Sequence, residues 1–417
     1  MKVFIETYGC TLNQADSEIL KGVLAGKNIG ICGSEEEADV IVLNTCFVKT
    51  QTQQSIIDRL GKLSGKKLVV AGCMPAANRD MVEKVSPKAS LVGPYSLSRI
   101  GDAVTAAYEG EKKVFLDIVK DDKFSLPKIR AGVIARIPLS EGCNSCCSFC
   151  VTKLARPVLR SYSEDSIVRE IEKCAGAGFK EIQLTSMDTG AYGLDTKTSL
   201  ASLLRKIGKI DYKFLTRVGM INPEHALRML PELIDAFRSD KLYKFLHIPL
   251  QSADDQVLRD MNRNYSTGDF MQVVEEFRNE FPELTLATDI IVGFPTESEE
   301  AFQRTADVIK ELEPDVVNNS KFFPRPKTKA ASMKRLSNEV VNERSRVINS
   351  LCKKISLEKN RKFIGKKFEV LLTEHRGDSM AGRTSTYKQV VLNGGKLGEF
   401  VNATTCDATA CYLRGII

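Results

Sequence analysis

The chain opens on alternation. Lys2–Tyr8 alternates apolar and polar residues like a strand, and Ala15–Leu24 then carries apolar residues at helical spacing. ADVIVLN (Ala38–Asn44) reads as a buried strand, Thr50–Ser64 as a helix, KLVVA (Lys67–Ala71) as a third strand, and Met81–Val85 lies in a short helix. This βαβαβ order predicts a parallel, doubly wound sheet as an N-terminal α/β domain over 1–110. A linker rich in charge and Pro follows at Asp117–Arg130.

A second α/β series starts near Gly132. Its strand candidates are Val133–Pro138, Glu181–Ser186, Phe214–Met220, Phe245–Pro249, Thr285–Val292 and Val316–Phe323. Helical segments separate them: Ser163–Ala177, Leu200–Lys206, Glu224–Phe237, Asp254–Met261, Phe270–Glu280 and Glu299–Leu312. Six strands with intervening helices make an open α/β barrel or a doubly wound sheet, and periodicity does not choose between them. A further helix runs from Asn338 to Lys362, with Val341, Ile348, Leu351 and Ile355 at helical spacing. Gly365–Ile417 consists of short alternating runs separated by Gly. That pattern predicts a small antiparallel β-barrel, of the class that includes oligonucleotide-binding folds.

Composition narrows the class. The 417 residues are 43% hydrophobic and 27% charged, which is globular. No apolar run approaches the roughly 20 residues a bilayer span needs, so no membrane role is expected. The N-terminus lacks the layout of a signal peptide, and the expected location is cytoplasmic. In that compartment 12 cysteines favour metal binding or catalysis over a disulfide framework. Three histidines leave little room for imidazole-rich sites, and no HExxH, Walker A loop or GxGxxG occurs. The net charge of +7 is unevenly spread: residues 321–370 carry 15 Lys or Arg against 4 Glu, or +11, and leave the remainder at −4. That is an electrostatic footprint for a polyanion, or else a solvated helix face and a basic linker.

The run Glu141-Gly-Cys-Asn-Ser-Cys-Cys-Ser-Phe-Cys150 places four cysteines in eight positions. As CxxxCxxC it uses Cys143, Cys147 and Cys150. As two CxxC pairs it would suit zinc, with Cys146 and Cys147 awkwardly adjacent. Thiolates so close in sequence are also the usual ligands of iron–sulfur clusters. The run follows directly on a predicted strand, where parallel α/β folds put their sites. Three thiolates on a four-iron cluster leave one iron open. Cys10, Cys46 and Cys73 each follow one of the first three strands, so in a parallel sheet they emerge at one edge as a second three-thiolate set. The alternative is three unrelated buried thiols.

CxxxCxxC after the first barrel strand resembles the radical S-adenosylmethionine superfamily. The words YGCTLNQADSE, LNTCFVK, VAGCMP, EGCNSCCSFCVTKLARP, LTSMDTGAYG, FLHIPLQSADDQVLRDMNR, DIIVGFPTES, FFPRPKTKAA and AGRTSTYKQVVL together resemble its methylthiotransferase family over essentially the whole chain. SMDTGAYG and TKLARP look most like the archaeal and eukaryotic branch, which modifies threonylcarbamoyladenosine next to the tRNA anticodon. The resemblance implies an N-terminal methylthiotransferase domain at 1–110, a partial (β/α)6 radical core at 129–360 and an RNA-binding TRAM barrel at 361–417.

It also implies two [4Fe-4S] clusters, on Cys143, Cys147 and Cys150 and on Cys10, Cys46 and Cys73. S-adenosylmethionine would be both radical source and methyl donor. Asp188, Arg217, Gln251, Ser252 and Gly293 sit at or near strand ends where the superfamily holds that cofactor. Asp188 could equally cap a helix or turn, and Gln251 could brace a loop. RNA contact is expected from the basic segment, with Lys327 and Lys329 standing where relatives often carry PRPGTPA, and from Arg383, Tyr387 and Lys388 of the barrel. Tyr387 would stack on a base or pack inside the barrel. The expected partners are a tRNA anticodon loop and a one-electron donor such as ferredoxin or flavodoxin, with the chain a monomer. Sibling enzymes acting on isopentenyladenosine or a ribosomal protein, and a non-enzymatic metal-stapled RNA-binding protein, are the alternatives.

Overall fold

A computed structural model of the 417-residue chain describes all residues except 48–49 and 119–120, and omits the side chains of 50–52. Val48 and Lys49 of the LNTCFVK word, and Val119 and Lys120 of the expected linker, therefore lie outside the described residues. The chain forms two compact units. One comprises Met1–Ala131, Arg136–Asn144 and Cys150–Arg160; the other comprises Gly132–Ala135, Ser145–Phe149 and Ser161–Ile417.

In the first unit six strands form one sheet: β1 (Lys2–Thr7), β2 (Gly30–Ile31), β3 (Val40–Thr45), β4 (Leu68–Gly72), β5 (Ser90–Val92) and β6 (Val114–Phe115). Their order is β2-β1-β3-β4-β5-β6, and every pair is parallel. Strands β3 and β4 are buried at every position, so their sequences are nearly continuous apolar runs instead of alternating ones. The helices are α1 (Thr11–Gly26), α2 (Thr50–Lys62), α3 (Cys73–Ala77), α4 (Arg79–Val85) and α5 (Ile100–Glu109). Val40 and Val42 pack with α1 and α5, while Ile41 and Leu43 pack with Ile56 and Leu60 of α2. Helices thus cover both faces, as a doubly wound sheet requires. Strands β2, β5 and β6 and helix α5 go beyond the sequence reading; two- and three-residue strands are too short to show a period.

The segment that follows holds β7 (Ile134–Pro138), β8 (Ser140–Glu141), α6 (Thr152–Ala155) and β9 (Arg160–Ser161). The second unit then alternates α7 (Glu164–Gly176), β10 (Glu181–Thr185), α8 (Leu200–Gly208), β11 (Leu215–Arg217), α9 (Pro223–Leu227), α10 (Leu230–Phe237), β12 (Phe245–His247), α11 (Asp255–Asp260), α12 (Thr267–Glu280), β13 (Thr285–Val292), α13 (Glu299–Leu312) and β14 (Val316–Lys321). Its strands lie in the orders β11-β10-β7 and β12-β13-β14, joined by a parallel bridge from Thr216 to Leu242. This is an open six-stranded α/β barrel. The single helix expected at Glu224–Phe237 is two, because Pro231 in the first turn of α10 has no N–H to continue α9.

Helix α14 (Asn338–Arg361) begins at Ser337, whose hydroxyl accepts from the Val340 N–H. Strands β15 (Lys367–Arg376), β16 (Ser379–Thr384), β17 (Gln389–Leu392), β18 (Phe400–Ala408) and β19 (Leu413–Ile416) close a barrel in the order β15-β16-β17-β19-β18. Its core is Val370, Leu372, Met380, Val390, Leu392, Ala403 and Leu413. One pairing, β17 with β19, is parallel; the other four are antiparallel. Among the described residues no helix is long and apolar enough to cross a membrane.

Candidate active site

Strands β1, β3 and β4 are neighbours, and Cys10, Cys46 and Cys73 follow their carboxyl ends. Cys10 is the N-cap of α1 and Cys73 is the first residue of α3. Gly9, at φ 123°, brings the first loop against the second: a Cβ there would stand 2.5 Å from the Cys46 Cβ and 3.1 Å from its sulfur. Only glycine takes that approach without strain. Burial pushes the Cys73 thiol up to about 11, and both Cys10 and Cys46 add to the rise through their charge. The three thiols are thus gathered within electrostatic reach, with Cys46 and Cys73 buried and Cys10 exposed.

Arg156, following α6, is 1% exposed and lies in the same unit. Its guanidinium donates to Asp16 of α1 and to Glu141 of β8. Lys123 joins the cluster, 2.5 Å from Asp16 and 2.7 Å from Glu141. Two cations and two carboxylates thus close a buried network, the arrangement in which buried charge is tolerated. Burial opposes the charge of Glu141, but Arg156 and Lys123 outweigh it and hold its carboxyl below the ordinary range.

Cys143, Cys147 and Cys150 are half-buried, and Cys146 is exposed. Cys147 belongs to the second unit, where the Arg263 Nη1 donates to its sulfur at 3.0 Å. Arg263 also donates from Nε to the Tyr265 hydroxyl at 3.1 Å and from Nη2 to the Asn222 Oδ1 at 3.4 Å. The Tyr265 hydroxyl donates to the carbonyls of Pro249 and Leu250, at 2.9 and 3.0 Å. Two side chains, Arg263 and Tyr265, therefore link a candidate cluster ligand to the turn leading into Gln251. Neither Arg156 nor Arg263 had a role in the sequence reading, although the words TKLARP and RDMNR contain them.

Among the described residues no three His, Cys, Asp or Glu side chains form a group fit for one metal ion. Thiolates on one tetrahedral ion lie roughly 3.8 Å apart, given Zn–S bonds of about 2.3 Å. A four-iron cube spreads its ligands more widely. Cys10, Cys46 and Cys73, brought to one sheet edge with a glycine-made close approach, suit such a cube.

The cofactor candidates differ in what already occupies them. Asp188 caps the turn at Thr189–Ala191: its Oδ1 accepts from the N–H groups of Gly190 (3.0 Å) and Asn222 (3.1 Å), and its Oδ2 lies 2.7 Å from His225 Nδ1. Burial disfavours charge on His225, and the Asp188 carboxylate outweighs it and raises that pKa. Gln251 has φ 66°, its N–H donates to the Asp289 carbonyl at 2.8 Å, and its buried Oε1 has no hydrogen-bond partner. A strained backbone beside an unpaired buried oxygen is a mark of a ligand site. Ser252 is fully buried and its hydroxyl accepts from the Asp254 N–H. Gly293 has φ 78°; its N–H donates to Glu297 at 2.7 Å, and a Cβ would strike Val341 of α14 at 2.5 Å. Arg217 lies over the rings of Phe245 (5.3 Å) and Tyr387 (5.7 Å).

Two of the five expected RNA contacts are committed elsewhere. Lys388 is buried, its ammonium 2.6 Å from Asp315 and 3.0 Å from the Asn360 Oδ1. The Tyr387 ring packs on Tyr243 (4.7 Å) and Phe245 (4.8 Å), and its hydroxyl donates to Glu181. Both residues fasten the small barrel to the α/β core and offer RNA neither a charge nor a ring face. Lys327 and Lys329 are exposed, and Arg383 is half-exposed, its guanidinium 4.7 Å from the Tyr387 ring centre.

Comparison with known proteins agrees with this layout. Residues 137–309 match the Radical SAM superfamily, and residues 2–93 match Uncharacterized protein family UPF0004. A probable threonylcarbamoyladenosine tRNA methylthiotransferase of Archaeoglobus fulgidus is 46% identical over 100% of this chain and 98% of its own. The chain belongs to the threonylcarbamoyladenosine tRNA methylthiotransferase family. A member of that family from Pyrococcus horikoshii is 45% identical over 100% of this chain and 99% of its own, and the Homo sapiens member 33% identical over 99% and 73%. In fold, a radical S-adenosylmethionine methyltransferase from Kitasatospora setae, solved with cobalamin and a [4Fe-4S] cluster, superposes at TM-score 0.59 and 14% identity, covering 79% of this methylthiotransferase-family chain and 74% of its own.

Proposed function

We propose that this protein methylthiolates C2 of N6-threonylcarbamoyladenosine beside the anticodon of tRNA. The observation that carries the reading is full-length similarity to threonylcarbamoyladenosine tRNA methylthiotransferases, joined to two sets of three cysteines after strand ends. When bound, two [4Fe-4S] clusters and S-adenosylmethionine supply one-electron cleavage of the cofactor, the inserted sulfur and the methyl group.

The chain's own residues hold and orient these groups. Cys143, Cys147 and Cys150 ligate one cluster, and Cys10, Cys46 and Cys73 the other. Arg263 orients Cys147, and Tyr265 ties it to the turn before Gln251. Gln251, Ser252, Asp188, Arg217 and Gly293 shape the cofactor site. With both Asp188 oxygens already accepting hydrogen bonds, its part is to fix the turn at Thr189–Ala191 and, through Asn222, the segment below Arg263. Lys327, Lys329 and Arg383 meet RNA phosphates, and the anticodon loop offers an unpaired adenine that can leave its stack. The enzyme works in the cytoplasm as a monomer, with a ferredoxin or flavodoxin as electron donor.

Mass spectrometry of tRNA nucleosides from a deletion strain tests the substrate. The 2-methylthio derivative of threonylcarbamoyladenosine should vanish and its precursor accumulate. An unchanged peak, or loss of methylthio-isopentenyladenosine instead, rejects the assignment. Anaerobic reconstitution tests the cofactors: zinc in place of iron would sink the enzyme reading. Lys327→Ala with Lys329→Ala should weaken tRNA binding at every sequence and flatten its salt dependence by about one unit per lost phosphate contact.

A further inference from the structure

At the end of β14 the chain enters a basic loop that carries one exposed aromatic ring. Residues 321–335 hold six Lys or Arg and no Asp or Glu. Lys327, Lys329, Lys334 and Arg335 are exposed and make no ion pair among the described residues. Two adjacent phenylalanines part here. Phe322 extends β14, its N–H donating to the Val292 carbonyl at 2.8 Å. Its buried ring stands 5.3 Å from that of Phe294, in a core shared with Phe149 of the cysteine loop. Phe323 is 44% exposed. A single exposed apolar residue is ordinary on a surface; this one differs in its company. The guanidiniums of Arg325 and Arg335 stand 5.8 and 5.7 Å from its ring centre. At that range they steady the ring by cation–π attraction without lying flat on it, and a ring face stays open. The loop is held in place. The Thr328 N–H and hydroxyl donate to the Arg325 carbonyl at 3.2 and 2.7 Å, and the Ala330 N–H donates at 2.9 Å to the carbonyl of Ser148, the residue after Cys147.

We infer that Phe323 is a stacking platform for an unpaired base of the substrate RNA, next in sequence to the adenine that is modified. The inference rests on the tRNA reading above. An exposed ring for the base, with cations around it for the phosphates, holds single-stranded RNA without demanding a particular base. A target adenine drawn out of its loop leaves its neighbours unstacked, and a ring fixed beside the cysteine loop replaces one lost stack. A protein partner fits this loop less well. The core of a protein–protein interface is depleted of Lys and packs several apolar side chains together, whereas here one ring stands among cations. The ring carries no charge, so its share in binding differs in kind from that of Lys327 and Lys329.

The test uses the full chain and a synthetic anticodon stem–loop RNA. Phe323→Ala should weaken binding roughly 5–150-fold, the loss of one stacked base, and leave the slope of affinity against salt unchanged. Phe323→Leu, apolar but without a ring, should bind as weakly as Phe323→Ala, and Phe323→Tyr should bind like the unaltered protein. 5-Iodouridine placed on the 5′ or the 3′ side of the target adenine, in two separate probes, should photocrosslink to Phe323 in one of them. Full binding by Phe323→Ala or Phe323→Leu, a flattened salt slope, or no crosslink from either probe overturns the platform. So does a Phe323→Ala protein that binds the RNA fully but binds reduced flavodoxin less, which would make the loop a protein dock. If the unaltered protein binds this RNA no better than an unrelated hairpin of equal length, the tRNA reading itself falls, and that is seen before Phe323 is altered.

Discussion

The two cysteine sets reach their places by opposite routes. Cys143, Cys147 and Cys150 are fixed by sequence, within eight residues of one loop. Cys10, Cys46 and Cys73 are 36 and 27 residues apart and come together only because β1, β3 and β4 are adjacent parallel strands. The arginines of the two units differ as well. Arg156 is balanced by two carboxylates and shares them with Lys123, whereas Arg263 shares its donors between the Cys147 sulfur and two neutral groups, Tyr265 and Asn222. A local set tolerates a mobile surrounding; a set built by topology needs a rigid sheet edge and a buried charge network to hold it.

Removing each set in turn tests this division with the largest expected effect. Cys143→Ala, Cys147→Ala and Cys150→Ala together should halve the iron and abolish both reductive cleavage of S-adenosylmethionine and the methylthio product. Cys10→Ala, Cys46→Ala and Cys73→Ala should also halve the iron and abolish the product, yet leave cleavage measurable by release of 5′-deoxyadenosine. Loss of cleavage in both variants would show that the two sets do not divide the chemistry.

Gly9→Ala should break the topological set alone. The new methyl would lie 2.5 Å from the Cys46 Cβ, on a backbone at φ 123° that L side chains avoid. Strain of this kind costs roughly 1–3 kcal/mol, read as a lower melting temperature, and iron bound by the N-terminal cysteines should fall. Full iron with an unchanged melting curve would mean that the close approach of the two loops is dispensable.

What was legible in the chain follows the same line. CxxxCxxC is written in the sequence, and three strands ending in cysteine were enough to propose the second set once a parallel sheet was expected. Arg156 was not legible, because Asp16 is 140 residues away from it and nothing local marks the pairing. Lys388 looked like a surface residue of a basic barrel word, and Tyr387 stood between stacking on a base and packing inside the barrel; both dock instead against Asp315, Tyr243 and Phe245, which alternation within the barrel does not encode. The parallel pairing of β17 with β19 was missed for the same reason, since a period of two gives the face of a residue and not the neighbour of its strand.

Arg263→Met sharpens the contrast in electrostatics. With no carboxylate pairing to it among the described residues, its charge acts on Cys147 undiluted. Partners that orient metal ligands typically contribute about 10–100-fold in activity or metal affinity. The variant should lower the potential of the CxxxCxxC cluster, measured without the N-terminal cysteines. An unchanged potential with full iron would mean that the Arg263 contact does not act on the cluster.

Cys146→Ala should have the smallest effect and decides how the loop is read. The structure uses the backbone of Cys146: its carbonyl accepts from the Asn262 Nδ2 at 2.7 Å, and its side chain is exposed. Alanine keeps that carbonyl and removes only the thiol. Iron content, cluster spectrum and cleavage rate should therefore stay at the level of the unaltered protein. If iron instead falls by about half, Cys146 is a ligand and the three-thiolate reading of this loop fails. The open iron site would then fail with it, because an iron left without a protein ligand is what three cysteines, and not four, provide.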